Sequence, residues 1–265
     1  MRASLLGLGV VVLLEACSAS GPPRSEISEA DLLSGSVLGP SIADATVPAI
    51  SMDDALALDD DMRAFLRGIS DTSQPAVKVN RLLDAMKQRG LLSLDYNDAI
   101  THTVSATFHE RQGNCLSFTM LFVALAREVG LRASFQLVDV PPTWTRDLDL
   151  VVVGSHVNSI VQSRFDRDVV VDFNAANSRD DYRTRKIDDK YAAALYYSNV
   201  GAEALLHRDY AASLAFLREA VRVHADMAAP WVNIGVLYGR QGRYDYAEAA
   251  YFRALEADPR LHTRV

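Results

Sequence analysis

The stretch Arg111-Gln112-Gly113-Asn114-Cys115-Leu116-Ser117-Phe118-Thr119-Met120-Leu121-Phe122-Val123-Ala124-Leu125-Ala126-Arg127-Glu128-Val129-Gly130 decides the fold. A polar turn containing glycine delivers one cysteine to the start of an almost wholly apolar run. Apolar residues at 118, 121, 122, 125 and 129 have the spacing of a helix buried against other elements. Gly130 stands where a left-handed residue closes a helix. A thiol at such a helix start lies beside unpaired backbone N–H groups and the positive end of the helix dipole, which favour the thiolate. The same N–H groups suit an oxyanion formed in acyl transfer. A free cysteine beside a buried helix is also an ordinary small core residue. At this point both readings of Cys115 stand.

Working outward, the 265 residues are 49% hydrophobic and 23% charged, enough to bury one or two cores. The net charge of −7 argues against nucleic acid as a partner. At the N-terminus, Met1-Arg2 precedes an apolar run from Leu5 to Leu14 that is too short to span a membrane as a mature helix. It ends Leu14-Glu15-Ala16-Cys17, which resembles the lipobox of bacterial lipoproteins: Leu at −3, a small residue at −1 and Cys at +1. Glu15 stands where that pattern takes a small or apolar residue. The resemblance implies a signal peptide over 1–16 and lipidation of Cys17. Ser18 after it implies an outer-membrane lipoprotein facing the periplasm; an ordinary cleaved signal peptide is the other reading. There are two cysteines in all. With Cys17 lipidated, Cys115 is the one free thiol of an exported protein in an oxidising compartment, either well buried or kept for chemistry.

Residues 17–50 are rich in Ser, Ala, Gly and Pro without a sustained period, and read as a flexible tether. Acidic capping signals and helices follow: Ser51 to Leu58, Asp60 to Ile69, and Pro75 to Lys87 with Val77, Val79, Leu82, Leu83 and Met86 inward. Asp95 to Phe108 reads as one more helix. After Gly130 the pattern turns to strands, over 133–140, around His156 within 148–162, and over 168–173. A hairpin centred on Ser163–Arg167 pairs residues whose numbers add to 328 or 330. Asp172 then falls opposite, or nearly opposite, His156.

The C-terminal part repeats. Trp231, Ile234, Gly235, Tyr238, Ala247, Tyr251, Ala254 and Pro259 match every signature position of the tetratricopeptide repeat (TPR). Thirty-four residues earlier stand Tyr197, Val200, Gly201, Ala204, Ser213, Leu217, Ala220 and Ala225, a degenerate copy. Two repeats, 194–227 and 228–261, are too few to bury a solenoid core alone, so they are expected to pack on the preceding domain or on a partner.

Cys115, His156 and Asp172 therefore come in order on a helix start, a strand and the neighbouring strand. Gly113-Asn114-Cys115-Leu116-Ser117-Phe118, Ser155-His156-Val157-Asn158 and Val170-Val171-Asp172-Phe173 resemble the nucleophile, histidine and acid segments of the transglutaminase-like superfamily, papain-like in its core. The resemblance covers about residues 50 to 260. It implies an α+β fold in which the helix bearing Cys115 packs on an antiparallel sheet, over residues 51–188, followed by an α-helical TPR tail over 189–265. It also implies that Cys115 is the nucleophile, His156 the base that takes its proton, and Asp172 the group that orients His156. Read alone, Asp172 fits equally a turn residue at a strand end, and His156 a hydrogen-bonded core histidine. Asn114, Trp144 and Asn158 are candidates for contact with substrate or with the triad; Trp144 equally fits core packing, and Asn158 an ordinary polar strand residue. His102, His109, His207, His224 and His262 show no metal-ligand spacing, so no metal or cofactor is expected.

The function so implied is acyl transfer at an amide through a thioester: peptide hydrolysis, deamidation or transamidation on a protein or peptide, by a lipid-anchored enzyme whose repeats bind a protein partner. The alternative is a non-catalytic scaffold or binding lipoprotein that keeps the fold and uses the repeats, since fold alone does not establish activity. A peptidoglycan-facing amidase suits the compartment but has no residue of its own to support it.

Overall fold

The structure, a computed structural model, describes residues 27–47, 52–69, 74–92, 95–96, 100–139, 146–147, 150–151, 156–163, 167–173 and 182–263. Cys17, the signal peptide, Trp144 and the tip of the 163–167 turn lie outside them. In chain order come short helices α1 (Glu29–Ser34), α2 (Pro40–Ala43), α3 (Met52–Ala55) and α4 (Asp60–Phe65), then α5 (Pro75–Gln88). Strand β1 (Asp95–Tyr96), helix α6 (Val104–Glu110) and strand β2 (Gln112–Gly113) lead into α7 (Cys115–Glu128). Strands β3 (Arg132–Val138), β4 (Arg146–Asp147), β5 (Leu150–Val151), β6 (His156–Gln162), β7 (Val169–Val171) and β8 (Thr184–Ile187) follow. Four longer helices complete the chain: α8 (Asp189–Leu206), α9 (Tyr210–Val223), α10 (Ala228–Arg240) and α11 (Tyr244–Ala257).

Helix α7 is the axis of the core. Every residue from Leu116 to Ala126 is buried, so it has no solvent face. Its other surroundings are α5, α6 and a four-stranded sheet of order β7-β6-β3-β8, whose neighbours all run antiparallel. The Thr119 hydroxyl donates to the Val157 carbonyl at 3.1 Å, pinning the helix to the strand that carries His156. Gly130 closes the helix with φ +77°, as the sequence suggests.

Two expectations are corrected. Residues 95–108 are not one helix: β1 pairs in parallel with β2, and the helix begins only after Thr103. The Thr103 hydroxyl accepts from the Ala106 N–H, and a threonine that caps a helix stands outside it in extended backbone. Nor is all of 17–50 a tether. Ser28 and Asp31 form a reciprocal capping box that starts α1, and Leu32 is fully buried among Leu217, Val221, Trp231, Ile234 and Tyr238. The Arg218 guanidinium donates to the carbonyls of Leu33, Ser34, Ala43 and Ala45. Tyr238 Oη donates to the Leu32 carbonyl at 2.7 Å, and Arg243 to that of Val37 at 2.9 Å. Low hydrophobic periodicity concealed this segment, because it docks through its backbone, the buried Leu32 and a scatter of partly buried apolar residues, Ile27, Leu33, Val37, Leu38 and Ile42, that follow no single period.

The repeat helices meet at small residues. A Cβ on Gly201 would come within 2.8 Å of Leu217, and one on Gly235 would strike the Tyr251 ring. Both pairs are thirty-four residues apart in register. Helix α8 also belongs to the main core: Ala192, Ala194, Leu195, Tyr196 and Tyr197 join the cluster built on α7. At its start Asp189 takes a two-pronged hydrogen bond from Arg127 at 2.7 and 2.9 Å, with Arg127 standing in the last turn of α7.

If residues 27–45 are part of the fold, Leu32→Ala removes a fully buried side chain. It is expected to cost about 2–5 kcal/mol, read as a lowered midpoint in urea unfolding. A midpoint unchanged within error would restore the tether.

Candidate active site

The site is assembled from three elements that α7 brings together. Cys115 is the first residue of that helix and is partly accessible. The turn before it explains its own sequence. Gly113 has φ +151°, and a Cβ there would lie 2.6 Å from the Ser117 Cβ, so only glycine fits. Asn114 is the N-cap: its Oδ1 accepts from the Ser117 N–H at 3.1 Å and from the Ser117 hydroxyl at 3.2 Å. Its Nδ2 donates to Thr101 Oγ1 at 2.7 Å. The Ser117 hydroxyl in turn accepts from the His102 N–H at 2.9 Å. Asn114 and Ser117 are both buried, so these bonds replace water that the helix start does not meet.

His156 opens β6 and is 4% exposed. Its Nε2 contacts both carboxylate oxygens of Asp172, at 2.9 and 2.8 Å. With Nε2 committed to Asp172, Nδ1 is the nitrogen left for the Cys115 thiol. Burial pulls the His156 pKa down. The hydrogen bonds of Asp172 and Cys115, and their charges, outweigh it and raise the value from 6.5 to about 9. At neutral pH the imidazole therefore holds its proton.

The β6–β7 register pairs Ser159 with Val171 and Val161 with Val169, numbers adding to 330. Continued by one residue, this places Asp172 across from Asn158, with His156 on the diagonal, the second of the two expected registers. Asn158 Nδ2 donates to Asp172 Oδ2 at 3.2 Å, so Asn158 serves the carboxylate. Phe173 packs its ring 6.1 Å from Phe118 and 6.0 Å from Phe122, tying the strand end that bears the acid to the cysteine helix. Of the residues expected at the site, Cys115, His156, Asp172, Asn114 and Asn158 come together. Thr101, Ser117 and Thr119 were missed. An Asn followed three residues on by Ser is a capping signal for Ser117, but nothing in the local pattern points to Thr101 or Thr119.

With this geometry in view, comparison with known families decides the fold. Residues 63–168 match the transglutaminase-like superfamily. The domain is transglutaminase-like. Cys115 and His156 fall inside that match and Asp172 just beyond it. Residues 228–261 match the tetratricopeptide repeat, so α10 and α11 form a TPR unit and the resemblance read from the sequence holds for both parts. No curated protein and no solved structure matches the chain. Among the described residues, no cluster of three or more His, Cys, Asp or Glu is placed to hold a metal ion.

The raised His156 pKa has a consequence for stability. A group whose folded pKa exceeds its unfolded value adds stability that is fully present below about pH 6.5 and is lost as the pH rises through about 9. The difference in urea midpoint between wild type and His156→Ala should therefore shrink between pH 6.5 and 9.5. A difference that stays flat over that window would mean that the imidazole is not held charged.

Proposed function

We propose that this chain is a lipid-anchored cysteine enzyme acting on amide bonds of a protein or peptide through a thioester. The observation that carries the reading is the line Cys115–His156–Asp172, in which a carboxylate occupies one imidazole nitrogen and leaves the other to the thiol. At rest the Cys115 proton sits on His156 Nδ1 as a thiolate–imidazolium pair, and Asp172 holds the imidazolium. The thiolate sulfur attacks the amide carbonyl carbon, and the oxyanion that forms faces the start of α7, where the Cys115 N–H is the proposed donor. As the C–N bond breaks, His156 returns its proton to the leaving amine and a thioester remains. His156 then takes a proton from water or from a second amine, whose attack releases the acid or a new amide and restores the thiol. Water yields hydrolysis or deamidation; an amine yields transamidation.

The lipobox-like Leu14-Glu15-Ala16-Cys17, with Ser18 after it, supports lipidation at Cys17 and an outer-membrane site facing the periplasm. Among the described helices none is long and apolar enough to cross a membrane. The TPR unit supports a protein partner, and Tyr244, Tyr251 and Phe252 on α11 leave aromatic surface exposed for one. A non-catalytic scaffold using the same surface is the second reading; it requires Cys115→Ala to leave function intact.

The test is alkylation of Cys115 by iodoacetamide across pH 5–9, on the full-length chain in detergent, with Cys115→Ala as the blank. Rapid alkylation should persist well below the ordinary thiol range of ~8.5. An ordinary thiol is under about 1% thiolate at pH 6, so His156→Ala should slow the reaction there by up to about 100-fold. Slow alkylation that follows an ordinary thiol, unchanged in His156→Ala, would sink the enzyme reading.

A further inference from the structure

Strand β6 carries two polar residues side by side in an apolar run, Asn158 and Ser159, and both are buried. Neighbouring side chains of a strand point to opposite faces of the sheet, so each meets different groups. On one face the Ser159 hydroxyl donates to the Val171 carbonyl at 3.1 Å and fixes the backbone just before Asp172. Just after Asp172, the Phe173 ring lies against Phe118 and Phe122 of α7. With the chain held on both sides, what is left to set is the rotation of the Asp172 side chain. On the other face Asn158 Nδ2 donates to Asp172 Oδ2 at 3.2 Å.

The register explains why that rotation needs setting. Asp172 lies across from Asn158, where side chains are about 5 Å apart, and diagonal to His156, where the separation is about 7–8 Å. The carboxylate reaches His156 only by leaning along the diagonal. It does so with both oxygens, at 2.9 and 2.8 Å from Nε2. Oδ2 is the atom that the imidazole and the Asn158 amide share. A donor at 158 therefore favours the rotation in which Oδ2 lies between the two, and an apolar residue there would not.

Asn158 holds this place against the demands of packing. Its amide can sit only one way, because turned over it would set Oδ1 against a carboxylate oxygen, acceptor against acceptor. Set this way, Oδ1 is buried and has no hydrogen-bond partner among the described residues. A buried carbonyl left unpaired weakens the fold, and an apolar side chain of similar size avoids that. Packing alone therefore favours a residue such as leucine at 158. What the asparagine gains among the described residues is its bond to the acid of the triad.

We propose that Asn158 is a positioning residue for the Cys115 site, turning the Asp172 carboxylate onto His156. This rests on the reading of Cys115 as the nucleophile. The effect reaches the sulfur through two links, carboxylate to imidazolium and imidazolium to thiolate.

The experiment uses the full-length chain in detergent and measures iodoacetamide alkylation across pH 5–9, with thermal unfolding in parallel. Asn158→Leu should change the thermal midpoint little, because the lost hydrogen bond and the removed unpaired carbonyl offset each other. Alkylation at pH 6 should nonetheless slow about fivefold, part of what a hydrogen bond to a charged group is worth, and the profile should move towards an ordinary thiol. Added to Asp172→Ala, the same substitution should slow alkylation no further, because the amide acts through the carboxylate. Where Asn158→Leu does not fold, Asn158→Ala, which needs less room, carries the same comparison. A reactive wild type whose Asn158 variant alkylates at the wild-type rate overturns this inference alone, as does a slowing that persists undiminished in Asp172→Ala. A wild type that alkylates as an ordinary thiol overturns the acyl-transfer reading and this inference with it.

Discussion

The burial of α7 on every side is the constraint from which the rest follows. A helix with a solvent face leaves its first N–H groups to water. This one starts beneath Thr101 and beside β6, so its polar start must be satisfied by side chains. Asn114, Ser117 and Thr101 do this, and Gly113 is glycine because Ser117 lies where a Cβ would go. The same constraint delivers Cys115 to a fixed point against β6, where His156 stands at the strand's first position. Nucleophile and base therefore meet because a hydrophobic helix and a hydrophobic strand pack, with Thr119 setting the level at which they do so.

How much of this was legible depends on the range of the interactions. Local periodicity located α7, and the left-handed Gly130 marked its end. Runs rich in Val, Leu and Phe gave the strands, and the polar Ser163–Arg167 turn narrowed the hairpin to two registers, of which the structure has one. Cys115, His156 and Asp172 could be picked out because each sits at the end of an element with a clear pattern. Asp95 to Phe108 was misread because its apolar spacing mimics a helix, whereas Thr103 breaks it by capping. Thr101 escaped notice for a different reason. It is a polar residue thirteen positions before the cap it serves, and no local period connects it to Asn114.

The repeats are part of how the core is closed. One TPR unit with the helix pair before it buries too little to stand alone. Here α8 gives one face to the cluster around α7, and the N-terminal helices cover α9, α10 and α11 from the other direction. The chain thus closes a short solenoid with its own earlier segments, and a boundary drawn at residue 189 cuts through a shared core.

The way residues 27–45 are held has an evolutionary corollary. Arg218, Tyr238 and Arg243 contact that segment at six carbonyl oxygens, those of Leu32, Leu33, Ser34, Val37, Ala43 and Ala45. Carbonyls are common to all residues, so the contact reads the path of the backbone and is blind to most side chains along it. Leu32, which fills the core, Gly35, at φ +64° with no room for a Cβ beside Leu214, the capping pair Ser28 and Asp31, and the partly buried Ile27, Leu33, Val37, Leu38 and Ile42 are the exceptions. The exposed positions between them are free to drift in sequence while the shape is kept. Among relatives such a stretch would look only weakly constrained, although it is folded.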